Sequence, residues 1–146
     1  MSHILSQLIK QKLPEWNEII ISEDRFLAAC ERLRVRIVEW PIRSRGEYIV
    51  EDGLPLILLR KGLDDRLRHW VGVHELGHHL LHYPATHRFS KSIHSRMDRE
   101  ANFFAAIALM PTELCRVMTP GEIAGEYDYP KEIIEIRRKI SENYQI

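Results

Sequence analysis

Apolar positions recur at helical spacing in several stretches and gather into three short β-type runs, in an order that predicts an α+β chain. Ile4 to Leu13 reads as a short amphipathic helix stopped by Pro14. Ser22 can cap a second helix that carries Phe26, Leu27, Ala29, Cys30 and Leu33. Val35 to Trp40, Glu47 to Glu51 and Leu56 to Arg60 then have strand character. Pro41 to Gly46 and Asp52-Gly53 separate them with turn residues, which predicts a small, mostly antiparallel three-stranded sheet. Leu54 to Leu59 is almost continuously apolar, as expected of a central strand.

A helical pattern without proline follows from about Arg66 to His82, with Val73, Leu76, Gly77, Leu80 and Leu81 along one stripe. Asp64 and Asp65 offer N-caps, and Tyr83-Pro84 ends the run because proline drives its predecessor out of the helical region. Pro84 to Ser92 reads as a polar loop, and Ser95 to Met110 as a second long helix ended by Pro111. Thr119-Pro120-Gly121-Glu122 has the signature of a capping box with proline at the first helical position. Pro130 opens a last helix whose Ile133, Ile134, Ile136 and Ile140 are expected to enter the core.

Composition narrows the class. At 146 residues the chain is expected to form one domain, residues 1–146, with a real hydrophobic core. Lys+Arg and Asp+Glu balance at 21 each, which argues against nucleic-acid binding as the main function. Arg32, Arg34, Arg36, Arg43 and Arg45 cluster, but Glu31, Glu39 and Glu47 are interleaved with them, so a mixed-charge solvated face is expected. Cys30 and Cys115 lack metal spacing and read as free thiols in a reducing compartment. No run has the roughly 18 apolar residues of a membrane span, and no secretory signal is recognisable. A cytoplasmic protein is the expectation.

The chemistry lies in the helix over 66–82. His74-Glu75-Leu76-Gly77-His78 is a His-Glu-x-x-His motif, and residues i and i+4 of a helix share a face, so both imidazoles can aim at one metal ion. Glu75 then lies next to the metal, placed to take a proton from a bound water. This is the core of a zinc hydrolase of the zincin type. The structural alternative, two ordinary helix histidines beside an ordinary glutamate, explains neither the mid-helix position nor the candidates for a third ligand.

Catalytic zinc sites use three protein ligands and leave a position for water. His82 cannot share an ion with His74, because eight residues of helix rise about 12 Å. The third histidine position of the Met-turn zincins is Pro84 here. The ligand must therefore come from another element, and Asp98-Arg99-Glu100-Ala101-Asn102 offers two acids. Asp98 shares a face with Asn102, which can hydrogen-bond the spare nitrogen of a ligand histidine. Glu100 is rotated about 200° from Asp98, so one of the two is expected to point at the site. Spacing favours Asp98 and leaves Glu100 open.

The motif helix, then Asp98-Arg99-Glu100-Ala101-Asn102-Phe103-Phe104-Ala105-Ala106, then Leu109-Met110-Pro111, together resemble the ImmA/IrrE family of metallo-endopeptidases over about Val35 to Pro111. The resemblance implies that the acid at the Asp98 position is the third ligand, beside His74 and His78, for one Zn²⁺ per chain. Relatives often have glutamate there, so the shorter side chain implies a slightly closer helix. It also implies limited proteolysis of a regulatory protein, typically a transcriptional repressor of a phage or mobile element. A helix-turn-helix repressor encoded nearby is the expected partner, with no direct contact to nucleic acid or membrane.

On this reading Glu75 is the general base, and His94, Tyr83 and Tyr127 are candidates for a group that steadies the oxyanion. An exposed sheet edge is expected to hold the substrate as an added strand. His69, His79, His82 and His87 are expected to pack or meet solvent, and Gly77 to permit close packing behind the metal helix. Two rivals remain: a toxin or regulatory protein-binding module that keeps zinc without proteolysis, and a purely structural zinc site. Both predict that Glu75 is dispensable.

Overall fold

The computed structural model describes residues 2–84 and 91–146. Along them run α1 (Ser2–Lys12), α2 (Glu23–Arg32), β1 (Arg36–Trp40), β2 (Gly46–Glu51), β3 (Leu54–Arg60), α3 (Asp65–His82), α4 (Lys91–Leu109), α5 (Thr112–Val117), α6 (Pro120–Tyr127) and α7 (Glu132–Tyr144). The α+β expectation holds. Ser22 caps α2 by accepting from the Arg25 N–H, Asp64 caps α3 from Leu67, and Thr119 and Glu122 form the reciprocal capping box of α6. Two boundaries differ from the sequence reading. Helix α4, described from Lys91, already covers part of the stretch expected as loop, and the short α5 was not anticipated between Pro111 and Pro120. His87 lies outside the described residues.

Asp52 and Gly53 have φ of 53° and 76°, the left-handed pair of a type I′ turn, which fixes β2 against β3 as an antiparallel hairpin. β1 pairs with the opposite edge of β3 and runs parallel to it, giving the order β1-β3-β2. β3 is central, as its apolar run implies. The sheet is mixed where mostly antiparallel pairing was expected. The tight turn commits β2 to one edge of β3, so the connector 41–45 carries the chain across the end of β3 from β1. The Arg60 N–H bonds Arg45 O at 2.8 Å and the Lys61 N–H bonds Trp40 O at 3.1 Å, tying both ends of that connector to the end of β3.

Helix α3 is the axis of the fold. Trp70, Val71, Val73, Leu76 and Leu80 are all buried, so the helix is covered on most sides, as an apolar girth requires. The sheet packs on one side and α4 on another. Trp16 stacks on Phe104 of α4 and donates its indole N–H to the Phe104 carbonyl at 2.9 Å, tying the segment after α1 to α4. Gly77 lets α3 and α4 pack closely. A Cβ there would lie 2.9 Å from Phe104 Cδ2 and 3.2 Å from both Cα and O of Ala101. None of the described helices is long and apolar enough to cross a membrane.

Candidate metal centre

Two helices supply the site, and their close approach at Gly77 sets its dimensions. As α3 advances from His74 to His78, its partners on α4 run back from Asn102 to Asp98. Asp98 Oδ1 lies 3.0 Å from His78 Nε2 and 3.5 Å from His74 Nε2. Metal–ligand bonds of roughly 2.0–2.2 Å in a tetrahedron separate ligand atoms by about 3.3–3.5 Å, so these spacings suit a shared zinc-sized ion. The three donor atoms lie within 4.8 Å of one another and could hold such an ion.

Hydrogen-bond accounting gives the same answer. His74 Nδ1–H donates to Asn102 Oδ1 at 2.8 Å, the contact expected for Asn102. A neutral His74 then presents only a lone pair at Nε2, facing Asp98 and, at 3.9 Å, Glu75 Oε2. Acceptors converge on one point, and a cation is what such a point binds. The charges respond accordingly. Pairing with the His74 ring and then the His78 ring holds the Asp98 carboxyl far below its usual range, so it stays ionised. Burial works to lower the His74 pKa, but Asp98, Glu75 and Asn102 together leave it raised. Burial pushes His78 down to about 4, which keeps it neutral, as a ligand must be.

Glu75 is 6 % exposed, and burial together with the charges of Asp98 and Glu47 pushes its carboxyl up to about 7, against the pull of His74. A carboxylate with a proton affinity near neutrality can both take and return a proton. It lies at a cleft of about 440 Å³, walled by Gly46, Glu47 and Tyr48 of β2, by α3 and α4, and by Glu132 and Ile136 of α7. Among the described residues β2 is an edge strand, and its Gly46, Glu47 and Tyr48 line that cleft. Gly46 makes room for Val71, which packs beside Glu75: a Cβ there would sit 2.5 Å from Val71 Cγ1, while Glu75 Cγ would lie in ordinary contact at 3.4 Å. Arg45 closes the rim by a bidentate pair to Glu132, at 2.7 and 3.1 Å.

Other expectations sort by position. Of the three oxyanion candidates, His94 lines the cleft, with Nδ1 3.8 Å from Asp98 Oδ2. Tyr83 instead donates to the Gly53 carbonyl, and Tyr127 stacks on Tyr129, neither lining the cleft. His69 packs edge-on to Phe26 and contacts the Ile21 carbonyl, a structural role. His79 is not merely packed: its Nδ1 shares a hydrogen bond with the Tyr48 hydroxyl at 2.6 Å, linking α3 to β2. His82, expected to pack or meet solvent, has Nδ1 2.9 Å from His78 Nδ1 and Nε2 2.8 Å from Glu100 Oε1. Glu100 therefore faces His82 and not the three-donor cluster. The sequence signal was the His78/His82 spacing of four, which places both rings on one helix face.

The model of the IrrE N-terminal-like domain family, Peptidase_M78, matches residues 30–139. No curated protein matches the chain.

Proposed function

Because the chain belongs to the IrrE N-terminal-like (Peptidase_M78) family of metallopeptidases, we propose that it is a cytoplasmic zinc endopeptidase acting on a regulatory protein. The observation that carries this reading is the convergence of His74, His78 and Asp98 on one point beside the buried Glu75, at a cleft open to a sheet edge. His74, His78 and Asp98 would hold the ion. Bound there, Zn²⁺ would lower the pKa of a water and polarise the scissile carbonyl.

The chain's own residues do the rest. Asn102 fixes the His74 ring by accepting its Nδ1–H. Glu75 accepts a proton from the attacking water and delivers it to the leaving amine, a shuttle suited to a carboxyl near neutral pKa. The free edge of β2, from Gly46 to Tyr48, holds the substrate backbone as an added strand beside Glu75. An extended segment fits that arrangement, so the cut falls where a partner protein offers accessible, unpaired chain.

The partner we propose is a helix-turn-helix repressor encoded beside the gene, since the balanced charge of this chain gives it little means of binding an operator itself. Coexpression with that repressor should yield one or a few discrete fragments, abolished by chelator and by Glu75→Gln. Indiscriminate digestion of casein-like substrates, or tight operator binding by the isolated chain, would contradict the proposal.

A further inference from the structure

The proposed ion site leaves two polar side chains beside it without a part to play. His82 and Glu100 have side chains only 8 % and 16 % exposed, they face each other across α3 and α4, and His82 touches a ligand ring. We propose that Glu100 and His82 form a positioning relay that fixes which nitrogen of His78 carries its proton, and thereby sets the metal affinity of the site. This inference rests on the reading of His74, His78 and Asp98 as ligands.

The direction of the relay follows from what each atom can donate. An ionised Glu100 only accepts, so the 2.8 Å contact requires a proton on His82 Nε2. A neutral His82 then has a bare Nδ1, which can only accept. The 2.9 Å contact with His78 Nδ1 therefore requires the His78 proton to be on Nδ1. That leaves His78 Nε2 with a free lone pair 3.0 Å from Asp98 Oδ1. The alternative, a doubly protonated His82 that donates to His78 Nδ1, would put the His78 proton on Nε2 and close that nitrogen to an ion, so a bound Zn²⁺ selects the first arrangement. His78 thus receives from His82 and Glu100 what His74 receives directly from Asn102. Both ligand rings have their tautomer chosen from behind, one by an amide and the other by an imidazole backed with a carboxylate. The negative charge of Glu100, passed through His82, also makes His78 a stronger electron donor.

The relay also accounts for both acids of the Asp98-Arg99-Glu100 run. Asp98 meets the ligand atoms, while Glu100 meets His82, one turn of α3 beyond His78. Glu100 is a positioning residue, not a ligand.

The test is zinc affinity, measured by competition with a chromophoric chelator, on wild type and on Asp98→Ala, Glu100→Ala, His82→Ala, His82→Asn and the double variant His82→Ala/Glu100→Ala. Thermal unfolding of each metal-free protein reports folding. Ring ¹⁵N spectra of the zinc-loaded protein report the His78 tautomer. Glu100→Ala and His82→Ala should each weaken zinc by about ten- to a hundredfold. The double variant should be no weaker than His82→Ala alone, because the two groups act in series. His82→Asn should recover part of the loss, since its amide oxygen can still accept from His78 Nδ1–H.

Unchanged affinity in Glu100→Ala and His82→Ala would overturn the relay while leaving the ion site intact, as would additive losses in the double variant. Loss of all zinc in Glu100→Ala with retention in Asp98→Ala would make Glu100 the ligand and also overturn it. Failure of wild type to bind zinc, or indifference to Asp98→Ala in every variant, would instead sink the ion-site reading on which the relay stands. Should His82→Ala fail to fold, His82→Asn and Glu100→Ala decide the matter by the same criteria.

Discussion

Replacing Gly77 by alanine should weaken metal binding more than it weakens the fold. The added methyl would meet the Ala101 backbone at 3.2 Å and the Phe104 ring at 2.9 Å. Carbon atoms settle at roughly 3.5–4.0 Å, so α4 must retreat by about 0.5 Å, because backbone cannot rotate aside as a side-chain tip can. Overpacking of this kind costs about 1–3 kcal/mol, and the better helix propensity of alanine returns about 1 kcal/mol. The net destabilisation should be about 0–2 kcal/mol, leaving a folded protein. Ala101 lies between Asp98 and Asn102 on α4, so the same retreat draws both away from His74 and His78. The Asp98 contacts of 3.0 and 3.5 Å leave little slack. Zinc affinity should fall about tenfold or more, comparable to loss of an outer hydrogen bond. Chelator competition gives the affinity, and denaturant unfolding of the metal-free protein gives the stability. Wild-type affinity in a folded Gly77→Ala protein would refute the idea that helix spacing sets the site.

Further outcomes can be checked on the same material. Asn102→Ala removes the acceptor for His74 Nδ1–H and should cost about ten- to a hundredfold in zinc affinity with little change in the metal-free melting temperature. Gly46→Val should lower stability and peptidase activity together, because its side chain must displace Val71 and crowd Glu75, which an activity-to-stability comparison would show. Burial lowers the His69 pKa below its ordinary 6.5, so the native state binds fewer protons than the unfolded chain on acidification. Stability from this residue is thus full above about pH 6.5 and declines as pH falls below it. Chelated His69→Gln protein should show a shallower loss of stability between about pH 6.5 and 5 than wild type, and an equal slope would assign the loss to other groups.

The parts of the fold legible in the sequence are those governed by neighbours along the chain. Ser22, Asp64 and Thr119 announce their helices through local caps, and Asp52-Gly53 announces the β2–β3 hairpin through its backbone preference. The parallel seat of β1 is a choice between sheet edges, which no local pattern encodes. Helix α5 is too short to show a period. In the site, His74, Glu75 and His78 are placed by helix arithmetic alone, and Asn102 was found by its spacing from Asp98. The same arithmetic removed His82 as a partner of His74 but could not see Glu100 approaching it from α4. Excluding a residue from one role says nothing about its contacts across a helix interface.

The central claim is that Glu75 moves the proton in a metal-dependent peptide hydrolysis. Its most direct test incubates zinc-loaded wild type and zinc-loaded Glu75→Gln with a diverse peptide library and counts new termini by mass spectrometry. Wild type should produce a restricted, chelator-sensitive set of cleavages, whereas Glu75→Gln, carrying the same zinc and melting normally, should be slower by about 10²–10⁴-fold. Equal cleavage by the two proteins, or a fully zinc-loaded wild type that produces no new termini while the variant keeps its biological effect, would contradict the account.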